Sequence, residues 1–208
     1  MNMTSNLYTI GHSTFTVEEV LKKLTDNNIE YLMDVRSYPY SKFASQFNRE
    51  PFSRFLEEHG VHYFFMGNRF GARPADRTLY TNGVLDFEKV RETSFYKEGE
   101  DSILKGLAHG VTMAFMCTEK DPMDCHRAIM VARGFALQGF PVVHIMADGS
   151  LTSQEDLDER LLRKYRDRFV MPTLFSYDSY EMSKEDMLKQ AYRWRNEEIG
   201  YHAGEDTL

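Results

Sequence analysis

Short apolar runs alternate with amphipathic segments through residues 1–150. Continuous apolar runs of this length suit buried strands, and apolar residues three or four positions apart suit helices. The predicted strands are Leu7–Ile10, Ile29–Val35, Val61–Met66, Met113–Met116 and Val142–Ile145. Because strand and helix alternate, the sequence predicts an α/β fold: a mostly parallel β-sheet of about five strands with helices on both faces.

Helix signals lie between these strands. Thr16 and Glu19 form a capping-box pattern before the first helix. Further helices are predicted over Pro51–His59 and Ser102–His109. Asp124 stands where an N-cap belongs, which predicts a helix that opens at Cys125.

The C-terminal part of the chain is richer in charge. The pattern of charges and caps predicts two charged helices separated by Pro172, over Thr152–Arg168 and Ser183–Glu198. We therefore predict an α/β core domain over residues 1–150. Residues 151–208 are predicted to be a C-terminal helical extension packed on that core, not a separate domain.

Composition and charge narrow the class of protein. The chain is 42% hydrophobic and 27% charged, without an apolar run of membrane-spanning length, and its N-terminus has no signal-peptide pattern. We expect a cytoplasmic protein that does not contact membranes and whose two cysteines are free thiols. A net charge of −7 argues against an extended nucleic-acid surface and leaves a small anionic substrate or nucleotide as the expected partner. The sequence indicates no particular cofactor or oligomeric state.

Ionisable residues follow three of the predicted parallel strands. The carboxyl ends of such strands lie along one edge of a sheet, where ligands bind. We assign catalytic roles to His12, Asp34, Cys117, Glu119 and Cys125. We assign substrate binding to Ser13, Arg36, Ser41, His126 and Arg127. Polar residues also follow strands in proteins without a site there, so a purely structural role is the alternative.

Cys125 is the leading candidate for a nucleophile. The free N–H groups of a helix N-terminus, together with His126 and Arg127, favour a thiolate. The alternative is a buried cysteine that only packs. Arg36 and Arg127 suit a bidentate clamp for a phosphate or carboxylate, although Arg36 could instead pair with a neighbouring carboxylate.

We assign no metal ligands from the sequence. The spacing Cys-x7-Cys-His matches none of the usual zinc patterns, and adjacent side chains at a helix start point in different directions. A site formed by Cys117, Cys125 and a histidine, completed by His12, remains an alternative. The aromatic residues Tyr38, Tyr40, Phe43 and Phe47 could stack a base, but we favour a hydrophobic lid.

Several motifs resemble the uncharacterised family catalogued as domain of unknown function 488. They are TIGHS (Thr9–Ser13), DVRSYPYS (Asp34–Ser41), VVHIMADG (Val142–Gly149), and Cys117-x-Glu119 paired with Cys125-His126-Arg127. The resemblance covers most of residues 7–150. It implies a compact bacterial or archaeal α/β domain and supplies no established reaction.

Three functions remain open at this point. The first is an enzyme that acts on an anionic, phosphate-bearing small molecule or nucleotide in a Cys/His/Arg/Asp pocket at the C-terminal edge of the sheet. The second is a non-catalytic sensor that binds a nucleotide or nucleic-acid end in the same pocket. The third is a Cys/His metal-site protein.

Overall fold

The protein is built around one mixed β-sheet. A computed structural model describes residues 6–169 and 182–204. In chain order the strands are β1 (Leu7–Gly11), β2 (Tyr31–Asp34), β3 (His62–Phe65), β4 (Tyr80–Thr81), β5 (Val84–Leu85), β6 (Met113–Cys117), β7 (Val143–Ile145) and β8 (Leu151–Ser153). The main sheet has the order β3-β2-β6-β1-β7-β8, and β4 pairs with β5 alone. All neighbours in the main sheet are parallel except β7 and β8, so the predicted mostly parallel α/β fold is confirmed.

Strand β6 lies at the centre, between β1 and β2. Its side chains alternate between the two faces: Met113, Phe115 and Cys117 join one core, and Ala114 and Met116 join the other. Every residue of the strand is buried. This explains the continuous apolar run, because both faces of a central parallel strand are covered.

Helices cover both faces of the sheet. They are α1 (Val17–Asp26), α2 (Arg49–Glu58), α3 (Gly67–Phe70), α4 (Phe87–Arg91), α5 (Ser94–Ala108), a π-helical segment (Arg127–Ala132) that continues into α6 (Arg133–Ala136), α7 (Gln154–Lys164), α8 (Arg166–Phe169) and α9 (Lys184–Ile199). Helices α1 and α2 pack on one face, and α5, the π-helical segment, α7 and α9 pack on the other.

The capping box before α1 is confirmed. The Thr16 hydroxyl accepts a hydrogen bond from the Glu19 amide at 3.2 Å, and the Glu19 carboxylate accepts one from the Thr16 amide at 2.7 Å. By contrast, the helix predicted over Ser102–His109 begins earlier, at Ser94. Thr93 caps it by accepting a hydrogen bond from the Tyr96 amide, a signal that the apolar spacing alone did not reveal.

The C-terminal helices contact the rest of the fold and each other. Arg195 of α9 donates a hydrogen bond to the Met123 carbonyl at 2.8 Å. Gln154 donates a hydrogen bond to the Tyr192 hydroxyl at 2.6 Å, which ties α7 to α9. Thr152, predicted to be helical, lies in β8 instead, because the chain first adds an antiparallel strand to β7. The boundary between core and extension at residue 150 stays a prediction, and Pro172 lies outside the described residues. No helix in the described ranges has the length and apolarity needed to cross a membrane.

Candidate functional site

The loops that follow β1 and β6 are held together at the C-terminal edge of the sheet. The His12 amide donates to the Cys117 carbonyl at 2.9 Å, and the Ser13 amide donates to the Thr118 carbonyl at 2.8 Å. Gly11 makes this approach possible, since a Cβ there would lie 1.9 Å from the carbonyl oxygen of Glu119. Glycine is therefore required where the two backbones meet.

Asp34 and Arg36 form a buried ion pair at the end of β2. Nε of Arg36 lies 2.9 Å and 3.1 Å from the two carboxylate oxygens of Asp34, whose side chain is fully buried. The Tyr63 hydroxyl donates to the same carboxylate at 2.6 Å, and Arg36 also donates to the Phe47 carbonyl at 2.8 Å. The guanidinium predicted to clamp a substrate is thus largely engaged inside the protein.

His12 completes this buried group. Its Nε2 lies 3.3 Å from Nη1 of Arg36, its Nδ1 lies 3.0 Å from the Ser13 carbonyl, and its ring stacks on Phe47 with 4.3 Å between ring centroids. Burial and the positive charge of Arg36 lower the pKa of His12 to about 4. A neutral imidazole fits the geometry, because Arg36 can only donate and Nε2 must therefore accept.

A second cluster joins the end of β6 to the segment that follows it. The carboxylate Oε2 of Glu119 lies 3.2 Å from the Cys117 sulfur and 2.9 Å from the Cys125 sulfur. Nδ1 of His126 lies 3.7 Å from the Cys117 sulfur, while its Nε2 lies 3.0 Å from the Val35 carbonyl. Both cysteines are free thiols. Two sulfurs, one imidazole and one carboxylate therefore share a small volume.

The prediction that Asp124 caps a helix at Cys125 is wrong. Residues Pro122–Asp124 form a 3₁₀ turn capped by the Asp121 carboxylate, and Asp124 is ion-paired with Arg195 from α9. Cys125 has an extended backbone, its carbonyl accepts hydrogen bonds from the Ala128 and Ile129 amides, and its sulfur lies 3.5 Å from the Arg127 amide. The Cys125 carbonyl thus accepts the first hydrogen bonds of the helical segment, and the Asp124 carboxylate pairs with Arg195 instead of capping it.

The cluster contains two thiols of opposite character. Burial opposes ionisation of Cys125, but its hydrogen bond with Cys117 and the positive charge of Arg127 bring its pKa well below the usual value. Burial and the neighbouring Cys125 raise the pKa of Cys117 well above the usual value. Burial and Cys125 also raise the pKa of Glu119. A Cys125 thiolate beside a Cys117 thiol is the state that these charges favour.

Arg127 lies fully buried behind this cluster. Its Nη1 donates to the Glu119 carbonyl at 2.6 Å and its Nη2 donates to the Lys120 carbonyl at 3.3 Å, while its Nε has no hydrogen-bond partner. Because Arg127 has no exposed surface, its guanidinium does not contact the cleft and cannot bind a ligand there. Its buried charge acts on the thiols and its hydrogen bonds hold the loop after β6.

A polar cleft of about 620 Å³ opens over the cluster. Cys117, Glu119 and His126 lie in its wall, whereas Cys125 lies beneath them and is 1% exposed. The remaining wall comes from the loop after β2, the loop after α3, the turn Pro122–Asp124, the end of α9 and the residues that follow α9. It includes Arg36, Ser37, Tyr38, Tyr40, Arg73, Asp124, Glu198, Tyr201 and His202. The cleft therefore joins parts of the chain that are far apart in sequence.

Besides Arg127, two of the predicted substrate-binding residues, Ser41 and Ser13, do not line this cleft. The Ser41 hydroxyl accepts hydrogen bonds from the Phe43 and Ala44 amides, at 3.1 Å and 3.2 Å, and so shapes its own loop. Ser13 has a positive φ of 45° and is held by its amide hydrogen bond to Thr118. Their roles in substrate binding stay predictions, and the described contacts are structural.

Three residues of the cleft wall, Arg73, Tyr201 and His202, were not predicted from the sequence. The Arg73 guanidinium lies over the Tyr201 ring, 4.6 Å from its centroid, in the cleft wall. Arg73 belongs to the arginine-rich segment Gly67–Arg77, which was the available signal. Tyr201 and His202 had no such signal in the sequence, because only the tertiary fold brings them to the cleft.

A comparison with known families agrees with the resemblance carried by these motifs. The family described as domain of unknown function DUF488 matches residues 16–133, more than half of the chain. The chain belongs to the DUF488 family. The match includes both cysteines of the cluster and ends before β7, whereas His12 and Ser13 precede it. No curated protein and no solved structure matches the chain.

Proposed function

We propose that this DUF488 protein is an enzyme that acts on an anionic, phosphate-bearing small molecule or nucleotide in the cleft. One observation carries the proposal: Cys117, Glu119 and His126 lie together in the wall of an open polar cleft at the C-terminal edge of a parallel sheet. Open α/β sheets bind ligands at this edge. Groups able to transfer protons or to bind covalently are thus within reach of a bound molecule.

The charges of the cleft support an anionic ligand. Asp124 is ion-paired with Arg195, and Glu198 is ion-paired with Arg195, Lys164 and Arg168, so their negative charges are already compensated. Arg73 presents an exposed guanidinium in the cleft wall, where it suits a phosphate group. Arg73 therefore replaces the buried Arg36 and Arg127 as the proposed anion-binding residue.

Exposed aromatic side chains near the cleft support a nucleotide among the anionic candidates. Tyr38 is 71% exposed and lies in the cleft wall beside Tyr40, with 5.2 Å between their ring centroids. Exposed rings of this kind stack nucleobases. Phe47, by contrast, is fully buried against His12, so it cannot stack a ligand.

We also propose that the protein is cytoplasmic and that its substrate is a small molecule. The net charge of −7 disfavours broad contact with nucleic acid or with anionic membranes. A local cationic group at Arg73 is compatible with that balance. A single phosphate-bearing ligand in one cleft needs no extended basic surface.

Titration calorimetry with a panel of nucleotides and phosphate esters tests the binding part of the proposal. Arg73→Ala is expected to weaken affinity by roughly tenfold or more, since a hydrogen bond to a charged group contributes about 1.5–3 kcal/mol. Arg77→Ala is the matched control, because Arg77 is also exposed and also lies over a tyrosine ring, that of Tyr80. Equal affinities of the two variants and the wild type would contradict the assignment of Arg73.

Product analysis of the bound ligands tests catalysis. Wild-type protein is expected to convert a ligand that the Glu119→Gln variant binds but leaves unchanged. Binding without conversion by the wild type would favour the alternative of a non-catalytic sensor. The two outcomes differ in product formation while ligand affinity is measured independently.

A further inference from the structure

We infer that Cys117, Cys125 and His126 bind one zinc ion, with the fourth coordination position open to the cleft. The inference deepens the proposed function by naming the cofactor of the same site. Sγ of each cysteine and a ring nitrogen of His126 all lie within 4.8 Å of one another. Two thiolates and an imidazole are ligands that zinc prefers in proteins.

The spacing of the ligand atoms fits tetrahedral zinc. Zn–S bonds of about 2.3 Å and Zn–N bonds of about 2.0–2.1 Å at a tetrahedral angle place sulfur and nitrogen about 3.6 Å apart. The Cys117 sulfur and Nδ1 of His126 are 3.7 Å apart. This pair of ligand atoms is therefore already spaced for the metal, and the other two pairs lie within 4.8 Å.

The backbone explains how adjacent residues share one site. Cys125 is extended, with φ −136° and ψ 137°, whereas His126 is helical, with φ −59° and ψ −25°. Within a continuous helix the two side chains would diverge, which was the objection raised from the sequence. The change of conformation between them removes that objection. His12 does not complete the site, because its Nε2 pairs with Arg36.

The orientation of His126 is fixed from its far side. Nε2 lies 3.0 Å from the Val35 carbonyl, which can only accept, so Nε2 carries the proton. Nδ1 of the neutral ring is then the unprotonated nitrogen, and it faces the sulfurs. Ligating histidines are oriented in proteins by such hydrogen bonds to backbone carbonyls.

The surrounding charges suit a divalent ion. Zinc with two thiolates is neutral, and Glu119 and Arg127 beside it carry opposite charges that cancel. As the metal binds, Cys117 loses its thiol proton to solvent, whereas Cys125 binds as the thiolate that it already is. Cys117 and His126 lie in the cleft wall, so a water molecule or the substrate can reach the fourth position, as in catalytic zinc sites.

Metal titration of metal-free protein, without any substrate, tests the inference. One Zn²⁺ per chain is expected, and Co²⁺ in its place should give the near-ultraviolet absorption of thiolate-to-cobalt charge transfer. Because the spectrum is recorded on wild-type protein, it does not depend on the folding of a variant. Absence of stoichiometric binding, or a cobalt spectrum without sulfur charge transfer, would overturn the zinc site.

Variants then identify the ligands. Cys117→Ser, Cys125→Ser and His126→Asn are each expected to weaken zinc affinity by more than about 100-fold, the upper range for losing only an outer-sphere partner. His202→Ala is the control, since His202 lies in the cleft wall away from the cluster. Zinc affinity unchanged in both cysteine variants would refute the ligand set.

The test of the zinc site and the test of the proposed function can fail independently of each other. If zinc binds but no phosphate-bearing ligand does, the metal site stands and the proposed substrate class fails. If nucleotides bind in an Arg73-dependent way to protein that takes up no metal, the proposed function stands and the zinc inference fails.

Discussion

Nε2 of His12 faces Nη1 of Arg36 at 3.3 Å, so the imidazole is held neutral by a cation that can only donate to it. Protonation would place two positive charges together inside the protein, and burial already disfavours the charged ring. These two effects lower the pKa of His12 to about 4. At neutral pH Nε2 of His12 therefore carries no proton and can only accept a hydrogen bond or a proton.

The free energy of unfolding is expected to decrease as pH falls from 6.5 to 4. In that range the unfolded chain, in which histidine has a pKa of about 6.5, binds a proton that folded His12 does not. The contribution lost is about 1.4 kcal/mol per pH unit, on the order of 3 kcal/mol in total. Urea unfolding at several pH values should show a smaller pH dependence for His12→Gln, which keeps an acceptor without titrating. An identical slope in both proteins would contradict this prediction.

Asp34→Asn is expected to destabilise the fold by about 3–5 kcal/mol. The substitution leaves the buried guanidinium of Arg36 without its countercharge, and breaking a buried pair on one side has this cost. Asp26→Asn is the control, because the pair between Lys22 and Asp26 is exposed and contributes about 1 kcal/mol or less. Chemical unfolding of the two variants measures the difference in their free energies of unfolding. Similar losses would contradict the expectation that Asp34→Asn leaves Arg36 without a countercharge.

Local sequence signals predicted much of the fold but not the partners of the charged residues. Central strand β6 was evident because its continuous apolar run reflects burial on both faces. The helix before β2 was evident because Thr16 and Glu19 cap it locally. Asp124 was misassigned because its ion-pair partner, Arg195, lies far along the chain. Long-range contacts of this kind leave no local pattern.

The same distinction applies to the candidate site. Residues at strand ends could be placed at one edge of the sheet, since parallel strands fix that edge. The relative orientation of Cys125 and His126 could not be predicted, because it depends on a change of backbone conformation between them. Arg73 was missed because only the folded chain brings it to the cleft, over Tyr201.

Gly11→Ala is expected to destabilise the fold by about 3 kcal/mol or more, at the upper end of overpacking effects. The new Cβ would lie 1.9 Å from the Glu119 carbonyl oxygen, a backbone atom that cannot rotate away. Gly106→Ala is the control within α5: its Cβ would meet only the flexible end of Met113, and alanine favours the helix. Thermal unfolding should separate the two variants, and equal midpoints would contradict the close approach of the loops after β1 and β6.

Arg127→Met is expected to change the chemistry of the thiols more than the stability of the fold. The substitution removes two hydrogen bonds to backbone carbonyls, but it also removes a buried charge whose Nε has no partner. Replacing a buried charge by an apolar side chain of similar volume is often neutral, so we expect a loss of less than about 2 kcal/mol. That loss is smaller than the one expected for Asp34→Asn, where the remaining partner is itself charged.

The effect on the thiols follows from the same position. Burial disfavours the Cys125 thiolate, and the hydrogen bond from Cys117 and the charge of Arg127 favour it. In metal-free Arg127→Met protein, the first thiolate absorbance should therefore appear at higher pH than in the wild type. Arg133→Met is the control, because Arg133 follows the π-helical segment but pairs with Asp158, away from the cluster. If the absorbance rises at the same pH in all three proteins, the charge of Arg127 does not affect the pKa of Cys125. The role of Arg127 would then be structural, through its hydrogen bonds to the loop after β6.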